Sequence, residues 1–470
     1  MSGLACRWLF DGICGPPREN VTLEIDSGRI SAVSAGGGGD LFVMPAFVDA
    51  HCHFTQMAAY RAALDLSDVE SAGELLALVS DAPDGRQPIR GEGFDESRWS
   101  DPRLPSLQEL DAAAAGRPVF LRRVCCHMAL MSTAMMDLYG DCARIDRATG
   151  VATEDPVLSY DKRFPPSEEE IVPALRLAAK EAHAVGVTGM CSVERLGDAS
   201  RIGAAGLPLD ISCAVLAEDL DRVERGHGLL GVKCFLDGSI GAGTAAMNSG
   251  QGRLLYEDDE LLELLSEAWR LGLPPVLHAI GGRAVAQAAS IGARAVKNGG
   301  VRADRWVRIE HAEELLPALD HLRSGLHRIC AQPNFVSSWQ GSGGLYESRL
   351  GPGAAGRLNP FATLTGAGLE LGFGSDCMPF GPLKGLDGAL LHPDPSQRIG
   401  VARALRAYTL DAALLAGLDE LARPVEPGRA ADLVALSNNP FLTGSVSGTE
   451  VVGVLRRGEP VYGFERGTMA

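Results

Sequence analysis

Through the middle of the chain, apolar runs of roughly four to six residues recur, each followed by a polar stretch and a helical pattern. Few folds accommodate that alternation. The runs are Ala46 to Ala50, Val187 to Val193, Leu209 to Val215, Val232 to Leu236, Pro275 to Ala279, Val307 to His311, Arg328 to Gln332 and Leu369 to Gly374. A strand buried on both faces reads as a continuous apolar run, and strand–helix alternation produces a parallel sheet. Eight such units make an α/β protein with a (β/α)8 TIM barrel. One helix is well signed, with Ser167 and Glu170 as a capping box, apolar Ile171, Ala174, Leu175 and Ala178, and Gly186 where the chain must stop.

The ends read differently. Short strand-like runs at Val21 to Ile25, Arg29 to Val33 and Leu41 to Met44 are split by Asp26-Ser27-Gly28 and the glycines 36–39. Asp432 to Leu436, Val451 to Arg456 and Pro460 to Tyr462 behave alike. We expect a small β-sandwich from residues 1–44 and 425–470, and a barrel from 45–84 and 166–424. The stretch between the first and second barrel strands is too long for one βα unit. Residues 85–165, with a strand at Val119 to Val124, are therefore expected to form an insertion or lid. Its Met128, Met131, Met135 and Met136 suit core packing, or the lining of an apolar pocket.

With 470 residues, 46% of them hydrophobic, the chain can bury a large core. A net charge of -17 repels phosphate backbones and anionic lipid, which argues against nucleic-acid and membrane partners. No apolar run approaches the roughly 18 residues that span a bilayer. The 11 cysteines include no Cys-x-x-Cys and suggest neither a disulfide framework nor a cysteine zinc cage, so a reducing cytoplasm is expected. Self-association is left open.

His51 and His53 end the first apolar run at i and i+2, which a strand places on one face. His278, His311 and Asp376 each close another run, at the carboxyl end where barrel enzymes carry their chemistry. The intervals between them fit whole βα units. A buried histidine is often just satisfied by a carbonyl, but four histidines and an aspartate meeting at one mouth suit zinc or a similar divalent ion. Lysine is scarce here, so Lys233 in the fourth run stands out. It is either a snorkelling structural lysine or an amine carboxylated by carbon dioxide to bridge two metals.

These residues resemble the amidohydrolase superfamily, and within it the YtcJ-like amidohydrolase family 3 group that includes N-substituted formamide deformylases. The likeness runs through Met44 to His53, Gly93 to Trp99, Arg117 to His127, Val232 to Ser239, His278 to Gly281, Glu310 to Ala312, Gln332-Pro333, Gly374 to Asp376 and Pro427 to Leu433. It implies that His51, His53 and Asp376 bind one metal, that His278 and His311 bind a second, and that a carboxylated Lys233 bridges them. We take His127, Gln332 and Arg357 as candidate substrate contacts, although His127 reads equally as a surface histidine of the lid and Arg357 as an ordinary solvated arginine. In that family an acidic residue often follows the glycine of the strand-five motif; here Gly282 follows Gly281, so a partner of the metal ligands is expected to be missing.

The implied activity is hydrolysis of a C–N bond in a small amide, formamide or cyclic amide by a metal-bound hydroxide, with Asp376 moving the proton. Other readings share the scaffold: a mononuclear deaminase, or a non-hydrolytic isomerase or lyase. The segment Gly241 to Ala246 has the spacing of a NAD-dependent dehydrogenase fingerprint, but Asn248, Ser249, Gly250 and Gly252 break the helix it should open. No G-x-S-x-G nucleophile elbow occurs.

Overall fold

The computed structural model describes residues 2–13, 15–83, 88–124, 128–224, 228–297, 306–315, 319–323 and 327–464. The chain divides into two compact units, one of Met1–Phe54 with Ala179–Ala470 and one of Thr55–Ala178.

The first unit carries eight parallel strands in sequential order: β1 (Phe47–Cys52), β2 (Val187–Glu194), β3 (Asp210–Leu216), β4 (Gly231–Phe235), β5 (Pro275–Ala279), β6 (Val307–His311), β7 (His327–Ala331) and β8 (Glu370–Phe373). Each falls within two residues of its expected position. All residues of β1, β2, β5 and β6 are buried, as strands covered on both faces require. Just past β8, Asp376 N–H donates to His51 O at 2.8 Å and brings the last strand back to the first. Gly374 permits this approach, because a Cβ there would lie 2.4 Å from the His51 nitrogen. Small and branched side chains fill part of the interior: Val48, Ala50, Cys191, Ala214, Val276 and Cys330 pack with Ala412, Ala413 and Leu415 of the helix Leu410–Leu415.

Both termini contribute to a second sheet in this unit. Its seven strands are Glu459–Tyr462, Val451–Arg456, Leu433–Leu436, Phe42–Pro45, Ser2–Leu9, Arg18–Asp26 and Arg29–Ala35, in that spatial order. The expected β-sandwich takes the form of one sheet whose hydrogen bonding runs unbroken through all seven strands. Asp26 pairs with Arg29 across Ser27 and Gly28, both at positive φ (51° and 78°), which gives the tight two-residue hairpin that a right-handed twist favours. One face buries Leu4, Leu23, Ile25, Val43, Leu433 and Leu455.

The second unit holds a six-stranded mixed sheet ordered Ile145–Asp146, Val151–Thr153, Met128–Met131, Val119–Arg123, Ile89–Phe94, Leu64–Asp65. Ile89, Val119 and Leu121 pack against the helices Ala72–Ser80 and Leu107–Ala114 through Leu75, Val79 and Leu110. Another core takes Phe120 stacked on Tyr160, with Met131, Met135 and Met136 fully buried around them. Those methionines are core filler. Ser132 caps the helix Thr133–Tyr139 and accepts the Val119 N–H at 2.9 Å. The helix Glu168–Ala184 begins at the expected capping box, with Ser167 N–H donating to Glu170 at 2.9 Å, and Gly186 follows its end at φ 85°. Among the described residues no helix is long and apolar enough to cross a membrane.

Candidate active site

At the carboxyl ends of β1, β5, β6 and β8 the structure brings His51, His53, His278, His311 and Asp376 together. His51 Nε2 and His53 Nε2 lie 3.4 and 3.1 Å from Asp376 Oδ1. The His311 ring centroid is 5.2 Å from that of His51 and 4.5 Å from that of His278. Ligand atoms of His51, His311 and Asp376 all fall within 4.8 Å of one another, the spread that one divalent ion spans. His311 Nδ1 is buried without a hydrogen-bond partner. The donor set therefore fits a metal ion of the zinc type.

Two residues reach this cluster through unusual backbone. His311 and Ala312 have φ of 70° and 50°, and Asp376 and Cys377 have 53° and 58°. Left-handed conformations are uncommon for residues with a Cβ and concentrate at functional sites.

Lys233 is 1% exposed, and its Nζ has no hydrogen-bond partner. Burial pulls its amine below the usual lysine value, against the opposing pull of Glu310 and Asp376. Burial likewise pushes His278 down to about 3 and His311 well below the ordinary histidine value, so both are neutral and free to donate to a metal. For Asp376 burial opposes the charge, but His51 and His53 outweigh it and hold the carboxyl well below its usual range.

Sequence reasoning singled out neither Glu310 nor Arg308. Both are fully buried in β6. Glu310 Oε2 contacts His51 Nδ1 and Glu310 Oε1 contacts Arg308 Nε. Strict alternation places Glu310 on the face opposite His311, which is why a reading by period two passes over it. The signal available was a charged pair at i and i+2 inside an apolar strand.

No acidic side chain follows Gly281, and the His278 ring takes a backbone carbonyl as its partner. A Cβ on Gly282 would lie 2.2 Å from Asn248 Nδ2, so the Asn248 side chain fills that space. Asp237, just past β4, stands 3.6 Å from His278 Nε2, beyond hydrogen-bond reach. Its carboxylate is held by the N–H groups of Ala246, Ile280 and Gly281 at 2.8, 3.0 and 2.8 Å. His278 Nε2 donates to Gly238 O at 3.0 Å.

Of the expected substrate contacts, Gln332 is buried beyond β7, with Nε2 donating to Cys330 O at 3.2 Å and Oε1 unpartnered. Arg357 is exposed to solvent. His127 lies outside the described residues.

An eight-stranded parallel barrel with its polar groups gathered at the strand ends defines a barrel enzyme. The chain matches the amidohydrolase family over residues 39–462 and belongs to it. It is 28% identical over 465 residues to YtcJ of Bacillus subtilis (strain 168), covering 85% of this chain and 84% of that protein. It is 25% identical over 486 residues to the N-substituted formamide deformylase of Arthrobacter pascens, covering 88% of each. Among solved structures it resembles an uncharacterized metal-dependent hydrolase from Pyrococcus furiosus, with a TM-score of 0.78 and 26% identity over 93% of this chain and 100% of that one.

Proposed function

We propose that the protein is a metal-dependent hydrolase that cleaves the C–N bond of a small amide, formamide or cyclic amide. The observation that carries this reading is the meeting of four histidines and Asp376 at the strand ends, together with a buried Lys233 amine that has no hydrogen-bond partner. The deformylase relative, whose name specifies an N-substituted formamide, supports the C–N bond class.

In this reading His51, His53 and Asp376 hold one divalent ion and His278 and His311 hold a second, with zinc the ion best matched to imidazole and carboxylate. Lys233, its amine pulled below the usual lysine value by burial, would add to carbon dioxide with formation of an N–C bond and release of a proton, and the resulting carbamate would supply an anionic ligand for these ions. Such ions lower the pKa of water to about 7 and polarise a carbonyl oxygen. Asp376, 13% exposed, accepts a proton from the attacking water and passes it to the leaving nitrogen. Water and amide give acid and amine, with no redox partner needed.

The test is metal analysis of the purified protein together with a panel of N-acyl and N-formyl amines. About two equivalents of zinc and chelator-sensitive release of amine are expected. One equivalent would favour deaminase-like chemistry, and activity indifferent to exhaustive chelation would overturn the proposal.

A further inference from the structure

Resting on that metal site, we propose that Glu310 and Arg308 are positioning residues that set the ring orientation of His51. An imidazole at the end of a strand can turn about its Cβ–Cγ bond and present either edge to the barrel mouth. Here one edge is engaged. Glu310 Oε2 accepts from Nδ1, which leaves Nε2 facing Asp376 at 3.4 Å. An ionised carboxylate can only accept, so the proton of a neutral His51 belongs on Nδ1 and the lone pair on Nε2.

Arg308 explains how Glu310 keeps that place. Its Nε donates to Glu310 Oε1, its Nη1 to Leu415 O at 2.9 Å, and its Nη2 to Ala50 O at 2.9 Å. One guanidinium thus joins β6, the helix Leu410–Leu415 and the residue of β1 directly before His51. The ring of His51 and the backbone leading into it are both held from a single pair of β6 side chains. A fully buried arginine is costly unless its donors are satisfied, and this one is spent on a carboxylate and two carbonyls around that histidine. His51, Glu310 and Cys330 also present ligand atoms close enough to share an ion. The contacts favour positioning over ligation, because each oxygen of Glu310 already has a protein partner.

The experiment compares zinc affinity, by competition with a coloured chelator, and the His51 ring orientation in crystals of metal-free and zinc-loaded protein. Wild type, Glu310→Gln and Glu310→Asp are measured. Glu310→Gln is expected to weaken zinc binding by roughly 10- to 100-fold and to leave the His51 ring in two orientations, while Glu310→Asp recovers part of both. Where Glu310→Gln alone fails to fold, adding Arg308→Met removes the unpaired buried charge and the same two losses are read. Unchanged affinity with an unchanged ring would overturn the proposal. So would a Glu310 oxygen at about 2.0–2.2 Å from zinc, which would make it a ligand. If wild type binds no zinc, the metal reading fails, and the ring orientation in metal-free crystals decides the positioning role by itself.

Discussion

Asp49 and Ser375 join the first and last barrel strands through two hydrogen bonds. The Ser375 N–H donates to Asp49 Oδ1 at 2.9 Å and the hydroxyl to Oδ2 at 2.5 Å. Asp49 Oδ1 also accepts the His51 N–H at 3.1 Å, so one buried carboxylate ties the histidine of β1 to the residue just before Asp376. Burial pushes that carboxyl up to about 6, and the Ser375 contacts oppose the rise.

Replacing Ser375 with alanine leaves Asp49 Oδ2 without a donor in a site it cannot share with bulk water. The loss should be about 1–3 kcal/mol of stability. Because the same contact sets the approach of Asp376 to His51, zinc retention after dialysis should fall with it. Urea denaturation alongside metal analysis checks both; a variant as stable as wild type would show that Asp49 finds another partner.

Lys233→Met keeps side-chain length and removes a buried amine that has no hydrogen-bond partner. Thermal stability should hold or rise, since desolvating the amine opposes folding. Turnover and the second equivalent of zinc should both be lost. Wild-type protein prepared under isotope-labelled carbon dioxide should carry the label at Lys233. Full activity in the methionine variant would reduce Lys233 to a packing residue.

His51 and Asp376 should separate by phenotype. His51→Ala removes the imidazole that turns Nε2 toward Asp376, so zinc content and turnover fall together. Asp376→Asn keeps the shape and one oxygen donor but cannot take up the water's proton. Zinc should be largely retained while the rate of amine release drops by about 100-fold or more. Zinc analysis and single-turnover assays distinguish the two patterns.

The barrel was legible because its strands carry their burial in the sequence. Val276, Leu277 and Ala279 around His278 form a short apolar run of the length a strand covered on both faces needs, with one polar group left at its mouth. Glu310 and Asp237 were harder. Glu310 and His311 are adjacent, yet both face the cluster, since His311 leaves the strand at φ 70° and breaks the alternation. Asp237 has a role only because Ala246, Ile280 and Gly281 bring their N–H groups to it from two other segments. Such convergence of loops has no periodic signature. Arg357, which carries no pattern that separates a substrate contact from an ordinary solvated arginine, lies in solvent.

Glu92, in the second unit, predicts a pH dependence independent of any metal. Burial pushes its carboxyl up to about 8, against the pull of Arg122, whose Nη1 is 3.4 Å away. The unfolded chain titrates near the ordinary glutamate value, so between about 4.5 and 8 folding takes up a proton. The stability that neutral Glu92 provides is full on the acid side of that window and is lost as pH rises through it. Glu92→Gln mimics the neutral acid and should match wild type near pH 4, then exceed it by at least about 1 kcal/mol at pH 8. Parallel pH profiles for the two proteins in urea denaturation would count against it.

Gly374→Ala tests how closely β8 must approach β1. The added Cβ would sit 2.4 Å from the backbone nitrogen of His51 and 2.7 Å from its Cβ, and backbone cannot step aside as a flexible side chain can. Either β8 moves out, weakening the Asp376 N–H to His51 O bond of 2.8 Å, or His51 is displaced from Asp376. Both routes should cost about 1–3 kcal/mol of stability and lower zinc content. A nearby control is Gly366→Ala, which meets nothing within 4 Å and should leave zinc content unchanged. Equal zinc content in the two variants would mean that the His51 and Asp376 geometry tolerates a wider barrel seam than the Gly374 contacts imply.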